Sequence, residues 1–225
     1  MDVFVIPIGL EQYELYCESP AEAPSLEPPS GGFIGRLRHR FAVMLHEAEE
    51  RRVGSAPSTA TTRGARFKER IMAWVAERIA EQRLLWNLRS ETAVAATYPQ
   101  DMTFDQVMAL IRRTLQRDYG RHRLWLGVDG LLLIASAALI PVPGPNIVGY
   151  YFAFRVVGHW LCVRGALQGL RRVDWTGRPS APLNELREAV LLDGEAREQR
   201  VHEVAERLAL PHLWTFFSRV ALKSS

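Results

Sequence analysis

The sequence predicts a mainly α-helical protein that begins with a short β-hairpin and carries a hydrophobic helical hairpin at its centre. Two short segments near the start, 3–8 and 13–17, are rich in β-branched and aromatic residues and flank Gly9, a pattern typical of paired strands. Further along the chain, apolar residues return at helical spacing. Two apolar runs on either side of a proline-glycine stretch indicate the central hairpin.

The predicted segments follow one another in a simple order. Residues 1–32 form the strand pair and a loop, and residues 33–122 form amphipathic helices with a flexible linker near 54–64. Residues 123–170 form the hydrophobic hairpin, and residues 171–225 form a small helical segment. Outside the hairpin, the predicted helices cover 33–53, 65–97 (ended by Pro99), a segment capped by Thr103 and reaching about Tyr119, 183–192, 195–208, and 210–220 with Pro211 in its first turn.

The composition limits the classes of protein that the chain can belong to. Hydrophobic residues make up 48% and charged residues 24%, and a mean hydropathy of -0.08 excludes a protein built mostly of membrane-spanning helices. The net charge is +3, and the arginines are spread along helical segments, so nucleic acid is not an expected partner. The N-terminus shows neither a basic signal region nor an Arg-rich transit segment. Cys17 and Cys162 have no metal-ligand spacing and favour a reducing compartment.

No motif for catalysis or cofactor binding is present in the sequence. His39 and His46 lie near Glu47 and Glu50, but without the His-Glu-x-x-His spacing of a zinc site, so a solvated helix face is the favoured interpretation. The Gly-x-Gly-x-x-Gly and Walker patterns are absent, and no serine has a nucleophile-elbow context. We therefore expect a protein that is not an enzyme and uses no metal and no cofactor.

The two central apolar runs are each close to the length that a bilayer requires. Residues 124–140 contain one charged residue, Asp129, and residues 147–163 contain Arg155 and His159. A span needs roughly 17 residues or more. On an insertion scale the first run is mildly favourable, whereas an arginine near its middle makes the second about neutral. The second run therefore needs the first as a partner.

The turn and the flanking charges agree with a hairpin in a membrane. Prolines prevent a helix from continuing through the turn, and basic residues flank both outer ends of the hairpin while the turn has no charge. By the positive-inside rule both ends face the cytoplasm or matrix. A buried helix pair in a soluble helical domain would give a similar pattern, but the membrane interpretation is favoured. The turn residues are Pro143, Gly144, Pro145 and Asn146.

Three ionisable residues are predicted to meet inside this apolar layer. Folding the hairpin about Gly144 places Asp129 level with His159, and Arg155 lies four residues before His159 on the same helix face. Ionisable groups at such depth are costly and include proton relays. A structural ion pair that lets the hairpin insert is the favoured interpretation of this cluster, and a proton-coupled role is the alternative.

Residues 143–155, with the sequence PGPNIVGYYFAFR, are followed by His159-Trp160 and by 164–166, RGA. This pattern resembles the mitochondrial potassium–proton exchange-related family, with its proline-rich turn, Pro-Asn, aromatic pair and arginine. Residues 128–132, 3–7 and 13–16 also look like that family. The resemblance covers the hairpin well and the flanking helices loosely. It implies an accessory or regulatory link to cation–proton exchange.

These observations together predict a membrane-associated protein related to potassium–proton exchange factors and to cation homeostasis. The expected partners are membrane lipid, K+ and H+, and a second copy or another protein. The bacterial inner membrane is the expected location in preference to the mitochondrial inner membrane, because no targeting segment is visible. The alternative is a soluble helical protein-interaction module in which the hairpin forms a buried core. A soluble enzyme is a third class, without a motif to support it.

Overall fold

The computed structural model describes residues 1–9, 11–18, 84–136 and 147–221. The predicted mainly helical protein with an N-terminal strand region is confirmed, but the strands belong to a larger sheet than predicted. The predicted helix 33–53, the linker 54–64, most of the helix 65–97 and the turn residues Pro143, Gly144, Pro145 and Asn146 lie outside the described residues. The described elements are β1 (Asp2–Pro7), β2 (Tyr13–Tyr16), a helical segment 84–88, β3 (Ala93–Pro99), α1 (Phe104–Ser136), α2 (Ile147–Arg171), β4 (Asp174–Ser180), α3 (Ala181–Leu191), α4 (Gly194–Arg207) and α5 (Leu213–Ala221).

The four strands form one mixed sheet in the order β2-β1-β3-β4. β1 and β2 are antiparallel, with Phe4 opposite Tyr16, and this confirms the predicted N-terminal strand pair. β3 lies parallel to β1 on one side and parallel to β4 on the other. Parallel neighbours need a long crossover, and α1 and α2 lie in the crossover from β3 to β4.

Two strands were not predicted from the sequence, and the helix predicted to continue to Thr97 is wrong. β3 is rich in alanine, which favours helix, yet Val94 and Ala96 are buried in a strand between β1 and β4. Strand preference depends on such packing more than on intrinsic propensity. β4 contains Gly177 and Pro179, which obscure a strand pattern but are tolerated because β4 ends the described strand order.

Helix α1 begins with the predicted capping box. The backbone N–H of Gln106 donates to Thr103 Oγ1 at 3.3 Å, and the backbone N–H of Thr103 donates to Gln106 Oε1 at 2.9 Å. The predicted end of this helix near Tyr119 is wrong, because α1 continues unbroken to Ser136. The two C-terminal helices predicted at 183–192 and 195–208 are confirmed, whereas the last helix begins at Leu213, after Pro211.

The three C-terminal helices form one core with the first strand. Ile6 of β1 is buried among side chains from α3, α4 and α5, while Val3 and Val5 alternate with it and point to the opposite face. β1 is therefore covered on both faces. The buried members of this cluster are Ile6, Ile8, Leu183, Leu186, Ala189, Val201, Val204, Ala205, Leu210, Leu213 and Phe217.

Helices α1 and α2 pack side by side and run antiparallel. His122 of α1 contacts His159 of α2, and one level further on Asp129 contacts Arg155. The buried positions of α2 are occupied mostly by small residues: Gly165 lies against the backbone of Leu85, and Gly169 lies against the side chains of Leu115 and Leu88. Because the residues that join the two helices lie outside the described part, the hairpin itself stays a prediction. The small buried residues of α2 are Gly149, Gly158, Cys162, Gly165, Ala166 and Gly169.

Gly165 provides a direct test of the close packing between α2 and the helical segment 84–88. A Cβ atom at Gly165 would lie 1.6 Å from the backbone carbonyl oxygen of Leu85, so Gly165→Ala forces backbone to move and is expected to lower the free energy of unfolding by more than about 3 kcal/mol. Gly120 is the matched control, since a Cβ there meets nothing within 4 Å. Gly120→Ala is expected to raise stability by up to about 1 kcal/mol. Denaturant unfolding of both variants measures the difference, and equal stabilities would contradict the close contact.

Candidate functional site

The buried face of α1 changes character along its length. In its first half the buried side chains are Val107, Ile111 and Leu115, whereas in its second half they are His122, Asp129 and Ser136. The last three follow each other at seven-residue intervals, nearly two helical turns, so they lie on one face. Asp129 is 1% exposed and His122 is 8% exposed. The buried face of α1 is therefore apolar in its first half and polar in its second. The polar half, which consists of His122, Asp129 and Ser136 and faces α2, is called the seam below.

Asp129 is held by an arginine from the neighbouring helix. Arg155 Nε donates to both carboxylate oxygens of Asp129, at 3.0 Å and 2.9 Å. The Arg155 guanidinium also reaches the Tyr151 hydroxyl at 3.4 Å and lies 5.5 Å from the Trp125 ring centroid. Burial acts to lower the pKa of Arg155, but the hydrogen bonds to Asp129 and Tyr151 outweigh it and raise that pKa. The buried carboxylate thus has a permanently charged partner.

Two histidines extend this ion pair along the seam. His159 Nε2 lies 3.2 Å from Asp129 Oδ2, and His159 Nδ1 lies 2.8 Å from His122 Nδ1. Burial, the neighbouring His159 and Arg121 lower the pKa of His122 to about 4. The result is a connected row, His122–His159–Asp129–Arg155, that crosses between the two helices.

The structure brings together the three ionisable residues that the sequence singled out: Asp129, Arg155 and His159. Whether a membrane surrounds them stays a prediction. His122 was not anticipated, because it lies just before the apolar run in a stretch rich in arginine. Its position seven residues before Asp129, in a helix that continues past Tyr119, is the signal that would have found it.

The outer surface of this half of α1 is apolar. Six large side chains between 124 and 134 are exposed, and Leu131 and Ile134 are exposed by 70% and 72%. On the first half of the helix the exposed positions instead include Arg112, Arg113 and Arg117. The second half of α1 is therefore inverted, with polar groups inside and apolar groups outside. The six exposed residues, called the apolar face below, are Leu124, Trp125, Val128, Leu131, Leu132 and Ile134.

None of the helices in the described ranges has the length and apolar character needed to cross a membrane. The predicted transmembrane character of the hairpin is therefore not supported over 84–136 and 147–221. In the same part of the chain, no group of three or more His, Cys, Asp or Glu side chains is arranged to hold a metal ion.

The family of this chain follows from a comparison with sequence families. The pattern of the mitochondrial K+-H+ exchange-related family matches residues 3–173, which span β1 to the end of α2 and include the whole charged row. The chain belongs to this family, and the resemblance noted from the sequence is confirmed. Neither the curated proteins nor the solved structures contain a match to the chain.

The pairing of Asp129 with Arg155 can be measured by a double-mutant cycle. Asp129→Asn and Arg155→Met are each expected to lower the free energy of unfolding by about 3 kcal/mol, because each leaves a partly or wholly buried group without its charged partner. The double variant should cost clearly less than the sum of the two.

The matched control is the exposed pair Asp2 and Arg178, whose side chains are 55% and 67% exposed. Its coupling energy is expected to stay below about 1 kcal/mol. Denaturant unfolding provides all the values. Additive effects at Asp129 and Arg155 would show that the buried pair is not coupled.

Proposed function

We propose that this chain is a membrane-associated accessory protein of potassium–proton exchange, which binds lipid through the apolar face of α1. The observation that carries the proposal is the inverted second half of α1. A soluble helix normally buries its apolar stripe and exposes charge, whereas this one buries His122, Asp129 and Ser136 and exposes leucine, isoleucine and tryptophan. Lipid around the helix pair would explain both the buried polar residues and the exposed apolar residues of this stretch.

The size of the apolar face suits the outer part of one lipid leaflet. From Leu124 to Ile134 the face extends about 15 Å along α1, at 1.5 Å per residue. The hydrocarbon core of a bilayer is about 30 Å thick. Interfacial helices bury their apolar faces about 5–10 Å into the boundary between headgroups and acyl chains. The face is therefore large enough to hold the chain at a membrane surface.

A band of basic and aromatic residues borders the apolar face on the side nearer the sheet. Arg121 and Arg123 precede it on α1. Trp160 and Arg164 follow His159 on α2, near the point where His159 contacts His122. The Arg164 guanidinium lies 5.2 Å from the Trp160 ring centroid. Tryptophan favours the membrane interface, and each basic residue near an anionic surface contributes about 1 kcal/mol. This charge pattern favours lipid with anionic headgroups over an apolar protein surface.

The family supplies the link to potassium and protons. Its description names K+-H+ exchange, and the seam under the apolar face holds His122, His159 and Asp129, which are groups that can bind and release protons. A non-enzymatic, accessory role fits this arrangement, with lipid as the partner and K+ and H+ as the ions concerned. A membrane that carries a proton gradient, bacterial or mitochondrial, is the proposed location.

Vesicle binding tests the lipid contact. The double variant Leu131→Glu/Ile134→Glu places two charges on the apolar face and is expected to weaken co-sedimentation with vesicles of mixed neutral and anionic phospholipid at least tenfold, since burying each such side chain contributes about 1.5–3 kcal/mol. Leu191→Glu is the matched control, because Leu191 is 67% exposed on α3 and lies outside the face. It is expected to bind like the parent.

Two results would contradict the lipid contact. Equal vesicle binding by the parent and the double variant would show that the apolar face does not touch lipid. A parent that ignores vesicles but self-associates, and a double variant that stays monomeric, would assign the face to a protein interface, as expected for a soluble interaction module.

The accessory role is tested separately by ion flux. Purified parent protein in proteoliposomes with a potassium gradient is expected to give no proton flux above that of empty vesicles. An ionophore that exchanges K+ for H+ shows that the assay works. A potassium-driven flux that disappears in Asp129→Asn would contradict the accessory role and make the chain itself an exchanger.

A further inference from the structure

The two histidines of the seam face each other through the same ring nitrogen. His122 Nδ1 and His159 Nδ1 are 2.8 Å apart, and the ring centroids are 5.1 Å apart. A hydrogen bond between two imidazole nitrogens requires an N–H on one and a lone pair on the other. The two facing nitrogens therefore share one hydrogen.

Asp129 determines which histidine donates. His159 Nε2 lies 3.2 Å from the carboxylate of Asp129, and an ionised carboxylate only accepts, so Nε2 of His159 carries a hydrogen. Before the pair takes up an additional proton, His159 is neutral and has a lone pair on Nδ1. His122 must consequently donate from its Nδ1, which leaves Nε2 of His122 as the basic nitrogen of the pair.

We infer that His122, His159 and Asp129 form a proton-transfer site, in which the histidine pair accepts one proton and passes it from His122 to His159. The proton binds to the lone pair of His122 Nε2. The Nδ1–H bond of His122 then breaks as an N–H bond forms at His159 Nδ1. His122 ends neutral with its hydrogen on Nε2, and the positive charge resides on His159 beside Asp129. No further reactant is required.

The charges around the pair determine where the proton comes to rest. On α1, Arg121 adjoins His122, and Asp118 lies one turn before it; on α2, Arg155 competes with His159 for Asp129. Burial, His159 and Arg121 lower the pKa of His122 to about 4, which disfavours charge at the receiving ring. The opposite charge of Asp129 favours the imidazolium of His159.

The pair has room for one additional proton only. With two, both facing nitrogens would carry hydrogens, the hydrogen bond would break, and two positive rings would lie 5.1 Å apart. The two rings therefore titrate as one coupled unit. The relevance of this site to exchange rests on the proposed function, whereas its existence rests on the geometry alone.

Nitrogen NMR of the full chain with 15N-labelled histidine tests the inference. We expect a scalar coupling between the Nδ1 atoms of His122 and His159. When the pair holds its additional proton, His159 should be doubly protonated and His122 neutral, with its hydrogen on Nε2. His202, whose side chain is 52% exposed on α4, provides an internal reference without such a coupling. In Asp129→Asn the pH midpoint of the pair should fall, because the variant removes the negative charge 3.2 Å from His159.

The variant His122→Asn keeps the Asp129–Arg155 pair intact and extends the test if Asp129→Asn does not fold. It should abolish the nitrogen–nitrogen coupling while His159 keeps its Nε2 hydrogen beside Asp129. Two rings that titrate independently, without coupling, would overturn the inference.

The spectra need neither vesicles nor an ion gradient. An intact coupling in a protein that ignores lipid would therefore overturn only the proposed membrane role, and independent titration in a protein that binds vesicles would overturn only the proton site.

Discussion

The burial of the Asp129 carboxylate is the constraint on which the arrangement of the two long helices depends. A carboxylate that is 1% exposed is strongly destabilising unless a cation and hydrogen-bond donors surround it. Arg155 and His159 supply these from two successive turns of α2. A shift of α2 by one turn along α1 would remove one of these partners. The ionic contacts therefore fix the register of the helix pair.

The same constraint explains why one half of the helix pair has its polarity reversed. Once the seam between α1 and α2 holds His122, Asp129 and Ser136, the apolar residues of that stretch have no interior left to fill and lie outward. Nearer the sheet the seam is apolar and the outside is charged, as in an ordinary soluble domain. One helix thus combines two kinds of surface, and the arginine- and tryptophan-rich band marks the boundary between them.

The elements that depend on residues close together in the chain could be predicted from the sequence. The N-terminal strand pair, the capping box at Thr103 and the helices near 183–192 and 195–208 rest on neighbouring residues. The contact of Asp129 with Arg155 and His159 followed from counting residues on either side of Gly144. The strand at Ala93–Pro99 could not be predicted, because its alanine-rich sequence does not favour a strand. It is extended here because it pairs with β1 on one side and β4 on the other. His122 was missed because it lies before the apolar run, in a stretch rich in arginine and beyond Tyr119, where the predicted helix ended.

The strand order has a consequence for the part of the chain that the family pattern covers. That pattern ends at residue 173, and β4 begins at Asp174, paired along its whole length with β3. A chain that stopped at 173 would leave the N–H and C=O groups of β3 unpaired on one side. It would also lack the helices that bury Ile6 and Ile8. Open strand edges recruit other chains. Residues 174–180 thus replace the edge of β3 with the edge of β4, where Pro179 has no backbone donor and Arg178 carries a charge, two features that discourage pairing with another chain.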